Sequence, residues 1–177
     1  KAIGYAVQSL GTHNTPVTPK SFSKVYWSVC VPKLCYGSEL MEVSDSTLDS
    51  MDSFHSGMAK QCQGLPGQCS NTGSLATVGW NTIRAHCSFL KLIFLWQILS
   101  LAYNSVYKEI CVKRLCVILY EGKDRVGPLF NIINVCREYG LMNYVMTAFE
   151  SGEYMACNLW KQIVKSFVHK LEQKRFI

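Results

Sequence analysis

Leu159-Trp160-Lys161-Gln162-Ile163-Val164-Lys165-Ser166-Phe167-Val168-His169-Lys170-Leu171 is the stretch whose pattern decides the fold class. Leu159, Trp160, Ile163, Val164, Phe167, Val168 and Leu171 return at i, i+4 and i+8, the period of one helix face. Lys161, Lys165, Lys170, Lys174 and Arg175 fall off that seam or at its edge, with Glu172 alone against them. Such a helix must bury its apolar face against another element, and almost every other segment offers the same period.

Towards the N-terminus, the stripe Leu129, Ile132, Ile133 and Cys136 begins after Pro128, which a helix tolerates in its first turn, and stops at Gly140 as a left-handed cap. A short helix around residues 142–149 closes at Gly152. Residues 106–120 read as helix with a Glu109/Lys113 pair at i, i+4, although the Val-Ile-Leu run near their end could pair as a short strand. Asn81 is a plausible cap for a long apolar helix, after a short one ending at the Gly79-Trp80 corner. Leu48, Met51, His55, Met58 and Cys62 stripe another helix, capped by Ser44 or Ser46 and stopped at Gly64-Leu65-Pro66-Gly67, with Asp45, Asp49 and Asp52 on one exposed face near its positive end. Phe22, Val25, Tyr26, Val29 and Cys30 repeat at helical spacing up to Pro32, whose missing amide predicts a kink because Ser28 loses its partner. Residues 4–19 are turn-rich, and residues 122–127 form a charged loop.

Composition narrows the function. At 177 residues and 49% hydrophobic, the chain can bury a sizeable core. Residues 37–59 hold Glu39, Glu42, Asp45, Asp49 and Asp52 with no Lys or Arg, which leaves the rest of the chain at +11 within a net +6. A basic surface of that kind suits nucleic acid. The nine cysteines are odd in number and contain no Cys-x-x-Cys, so buried free thiols are expected and no zinc site, metal or cofactor. Residues 87–103 are too short and too interrupted, by Lys91 and Gln97, to span a bilayer. They read as a buried helix covered at its middle, with Arg84, Ser88 and Lys91 on one face and Gln97, Ser100 and Asn104 on roughly the opposite one. Trp27, Trp80, Trp96 and Trp160 fall at core spacing rather than as stacking platforms, and His13, His55, His86 and His169 are too scattered to form a catalytic or metal group.

These motifs occur in order: Val31-Pro32-Lys33-Leu34-Cys35-Tyr36-Gly37-Ser38-Glu39-Leu40, then Leu65-Pro66, then Val78-Gly79-Trp80, then Tyr139-Gly140-Leu141, then Trp160-Lys161. This order resembles the region after the catalytic palm in reverse transcriptases of non-LTR retrotransposons, from about Gly4 to the end of the chain. The chain departs from the family at Met41, where tryptophan is common, and at Ser70-Asn71-Thr72-Gly73, where an alanine-rich segment is common. It also has no Asp-Asp pair, and the family's polymerase centre needs paired carboxylates to hold the ions that stabilise phosphoryl transfer. Lys1 opens the chain mid-pattern, so the resemblance implies a C-terminal piece of a longer reading frame or a decayed remnant of one.

The resulting expectation is an all-α fold: a thumb-like helical bundle over residues 1–120, followed by a packed helical extension over residues 121–177. By resemblance, Lys20, Lys24, Lys33, Lys60 and Arg84 would contact the phosphates of an RNA-DNA template-primer duplex, holding it without reading its sequence. The palm and endonuclease of the parent protein would be its other partners. Tyr36, Leu65, Trp80 and Trp160 are expected to be buried anchors. No catalysis by this chain and no membrane partner are expected, and the location would be intracellular, nuclear or cytoplasmic. The alternative is a helical module that binds protein and has no nucleic-acid role.

Overall fold

The computed structural model describes residues 18–122 and 126–175, and they are all-α, with no strand among them. The turn-rich expectation up to residue 17, His13 and the middle of the charged loop lie outside the described residues. The helices are α1 (Pro19–Val25), α2 (Val31–Leu34), α3 (Asp45–Cys62), α4 (Asn71–Val78), α5 (Ile83–Leu99), α6 (Val106–Cys116), α7 (Pro128–Glu138), α8 (Met142–Ser151) and α9 (Cys157–Arg175). Single π-turns over Tyr26–Cys30 and Val117–Glu121 follow α1 and α6.

Contacts divide the described residues into two compact units, 18–36 with 45–83 and 37–44 with the described residues from 84 to 175. The break between them falls at Ile83/Arg84, at the start of α5. The Cys111 to Tyr120 region is helical throughout, so the strand alternative is overturned; its Val-Ile-Leu run is carried by a π-turn.

The first unit is built on an aromatic cluster. Tyr26, His55 and Trp80 are buried and stacked on one another, with ring centroids 4.8 to 5.5 Å apart. Trp27 meets His55 and Trp80 edge-on. The π-turn answers the proline problem locally. Pro32 brings no amide to Ser28, and one residue earlier the Val31 N–H reaches back five positions to the Tyr26 carbonyl. The widened turn lets Tyr26, Cys30, Val31 and Cys35 all face inward. Gln63 ties α3 to α4, donating to the carbonyls of Ala59 at 2.9 Å and Ser74 at 2.8 Å.

Asp52 corrects the expected exposed acidic face. It is half-buried, and its Oδ1 accepts the Ile83 N–H at 2.6 Å, so a carboxylate from α3 caps α5 in place of the expected Asn81.

The second unit has the larger core. Leu92, Leu95, Trp96 and Leu99 of α5 pack with Leu115 of α6, Ile132, Ile133 and Cys136 of α7, Val145 of α8, and Trp160, Val164 and Val168 of α9. The polar face expected on α5 is not a solvent face. Ser88 and Lys91 are buried, and Lys91 Nζ donates to Asn131 Oδ1 at 2.6 Å. Burial lowers the Lys91 pKa, while the neighbouring Cys87 and Glu42 oppose the shift. No described helix is long and apolar enough to cross a membrane.

Candidate nucleic-acid interface

The proposed phosphate contacts begin on α1. Thr18 caps it, its Oγ1 accepting the Ser21 N–H at 3.3 Å, and Pro19 occupies the first turn. That start puts Phe22 and Tyr26 inward, and Lys20 and Lys24, four residues apart, on one exposed face. Lys33 is exposed on α2, directly after Pro32. The run carrying the three lysines is seated by groups behind it: Trp80 Nε1 donates to Ser23 Oγ at 2.8 Å, and Tyr26 lies 2.9 Å from His55 Nδ1.

Two of the five basic positions fall elsewhere. Lys60 is buried and its Nζ donates to the Gly67 carbonyl at 2.8 Å. Its chemistry is that of a turn clasp, closing the loop after α3, so the expected phosphate role for Lys60 is withdrawn. Arg84 is half-buried in the first turn of α5 and belongs to the second unit.

The expected anchors divide in the same way. Trp80 is buried as described. Trp160 is 1% exposed, stacked on Trp96 at 4.2 Å, and its Nε1 donates to the Leu92 carbonyl at 3.0 Å. Tyr36, however, is 86% exposed. It follows the end of α2, where Cys35 takes the inward position. Leu65 is 37% exposed, because what its turn uses is the backbone: its N–H bonds the Lys60 carbonyl at 2.9 Å.

His55 is a buried polar centre that the sequence marked only as part of a stripe. A carbonyl can only accept, so His55 Nε2 carries the proton and donates to Asn81 O at 3.0 Å, leaving Nδ1 to accept the Tyr26 hydroxyl. Burial raises the Tyr26 pKa, with Cys30 and Cys35 adding to the shift. This pair is enclosed by rings and holds the α3 to Asn81 corner in place. No spacing rule could have paired residues 26, 55 and 81.

None of the nine cysteines is in a disulfide. Cys30, Cys35, Cys87, Cys111 and Cys136 are buried, and Cys157 is exposed. Burial pushes the Cys136 thiol up to about 12 and the Cys111 thiol up to about 11. Among the described residues no three or more His, Cys, Asp or Glu side chains are grouped to hold a metal ion. On α9 the lysines at 161, 165, 170 and 174 are all exposed.

In comparison with known proteins, no family model, curated protein or solved structure matches this chain.

Proposed function

We propose that this chain is the thumb and C-terminal segment of a non-LTR retrotransposon reverse transcriptase, gripping an RNA-DNA template-primer duplex through phosphates without catalysing its extension. The observation that carries the reading is the set of exposed lysines 20, 24 and 33 on one helical run whose inner side is seated in an aromatic cluster. Phosphate contacts of this kind fix a protein's position on a duplex and carry no sequence information. The resemblance in the order of motifs supports the choice of family. Arg84 remains a candidate contact by resemblance.

Salt titration tests this. Labelled RNA-DNA duplex is titrated with the parent protein and with Lys20→Gln/Lys24→Gln/Lys33→Gln. A plot of log K against log salt should fall linearly, and the triple variant should lose about 2 to 3 from the slope. Equal slopes for the two proteins would refute the grip. The absence of an Asp-Asp pair adds a second expectation: purified protein with magnesium and deoxynucleotides leaves the primer unextended.

A helical protein-binding module is the second reading. An apolar groove on the second unit favours it.

A further inference from the structure

Helix α6 is apolar on two sides. Cys111 and Leu115 point into the core, while Val106, Tyr107 and Ile110 face solvent, Tyr107 being 76% and Ile110 54% exposed. Beside that outer face runs a groove of about 270 Å³ formed by α5, α6 and the start of α7. Buried Leu95, Cys111 and Ile132 floor it; Leu40, Tyr107, Ile110 and Arg114 stand at its mouth. Arg114 is the only charged residue lining it among the described residues. Lys108 and Lys113 extend the positive charge of α6, with Glu109 alone against them, and Glu42, next but one to Leu40, acts electrostatically on Lys91.

We infer that this groove receives an amphipathic helix of a protein partner, whose apolar side chains enter between α5 and α7 and whose acidic edge lies against Arg114 and Lys113. Three features select that occupant. The groove is concave with a buried apolar floor, which matches side chains at i, i+3 and i+4 and not a flat lipid surface. Its mouth carries tyrosine and arginine, the residue types that dominate binding energy at interfaces. The charge on the α6 side is positive, and complementary charge sets partner choice. The inference does not depend on the duplex grip, whose lysines lie on other elements.

The test uses the full chain and two labelled synthetic helical peptides. Both carry Leu at i, i+3, i+4 and i+7; one has Glu and the other Lys at the remaining positions. Fluorescence anisotropy should give binding at least tenfold tighter for the Glu peptide. Ile110→Asp should abolish it, and Arg114→Glu should reverse the peptide preference. Circular dichroism and melting of each variant establish that it is folded; because both positions are at the mouth of the groove, parent-like melts are expected. Equal affinity for the two peptides, or folded variants that bind like the parent, would overturn the inference. So would capture of the face by a second copy, seen as dimerisation that Ile110→Asp abolishes, or by phosphatidylserine vesicles when neither peptide binds.

Discussion

Replacing Trp160 by Ala removes the ring that joins α9 to α5 in the second unit. Truncating a buried aromatic to Ala costs about 3 to 5 kcal/mol, the spread reflecting how far the site collapses. Trp160 belongs near the top of that range, because it is 1% exposed, is stacked on Trp96 at 4.2 Å, and gives its Nε1 proton to the Leu92 carbonyl at 3.0 Å. Aromatic pairing adds about 0.5 to 1.5 kcal/mol and the hydrogen bond about 1 kcal/mol. A cost near 4 to 5 kcal/mol lowers Tm by about 10 to 15 °C for a chain of this size. Trp160→Phe retains a stacked ring and loses the donor, so about 1 to 2 kcal/mol is expected. Urea unfolding followed by far-UV circular dichroism measures the loss, with Tyr36→Ala as the exposed control at less than about 0.5 kcal/mol. If Trp160→Ala melted within a degree or two of the parent, or Tyr36→Ala cost as much, the packing described for α9 would be wrong.

Asp52→Ala should cost about 0.5 to 2 kcal/mol by uncapping α5, measured by the same unfolding series. Lys60→Gln should leave the salt slope of duplex binding unchanged, because its ammonium is committed to Gly67; a drop of one unit would return it to the interface. Above the ordinary thiol range of about 9, unfolded chain loses thiol protons that Cys111 and Cys136 still hold when folded, so stability falls as pH rises towards 11 to 12. Each thiol should withdraw about 1 kcal/mol between pH 8 and pH 10, and Cys136→Ala should show a shallower fall than the parent in urea unfolding at those two values. Gly140→Ala should cost about 1 to 2 kcal/mol through backbone strain alone, since φ is +68° and nothing lies within 4 Å of an added Cβ.

Most helix positions were legible because each apolar stripe has one period and one face. The seam of α9, the stripe of α7 and the Glu109/Lys113 pair, 2.7 Å apart, needed no tertiary knowledge. What the chain order could not convey was which polar residues have distant partners. Lys60 and Lys91 look like solvent residues by type, and each is buried on one acceptor, Gly67 and Asn131. Asp52 looks like one of three equivalent aspartates until Ile83 is brought to it. The division at Ile83/Arg84 lies at the start of α5, a few residues after the Gly79-Trp80 corner, and that corner looks like any other helix stop in the chain. The π-turn at Tyr26–Cys30 was half legible, since Pro32 foretold an interruption but not that a widened turn would make it.

Three motifs behind the retrotransposon resemblance share one physical cause. At Gly64-Leu65, Gly79-Trp80 and Gly140-Leu141 the glycine has φ of 66 to 70° and gives its N–H to the carbonyl three residues back, and the next residue gives its own to the carbonyl five back. That is the Schellman helix stop, in which an apolar residue after the glycine folds back on the helix it ends. Trp80 and Leu141 are buried in that role, and Leu65 is partly exposed. Any helical bundle needs such stops, so each motif by itself reports where a helix ends and nothing about duplex. Their order along the chain is what the resemblance rests on. The duplex grip rests instead on Lys20, Lys24 and Lys33, whose charges no helix stop requires. Removing those charges while leaving all three glycine corners intact therefore separates function from fold, and it is the experiment on which the proposal stands.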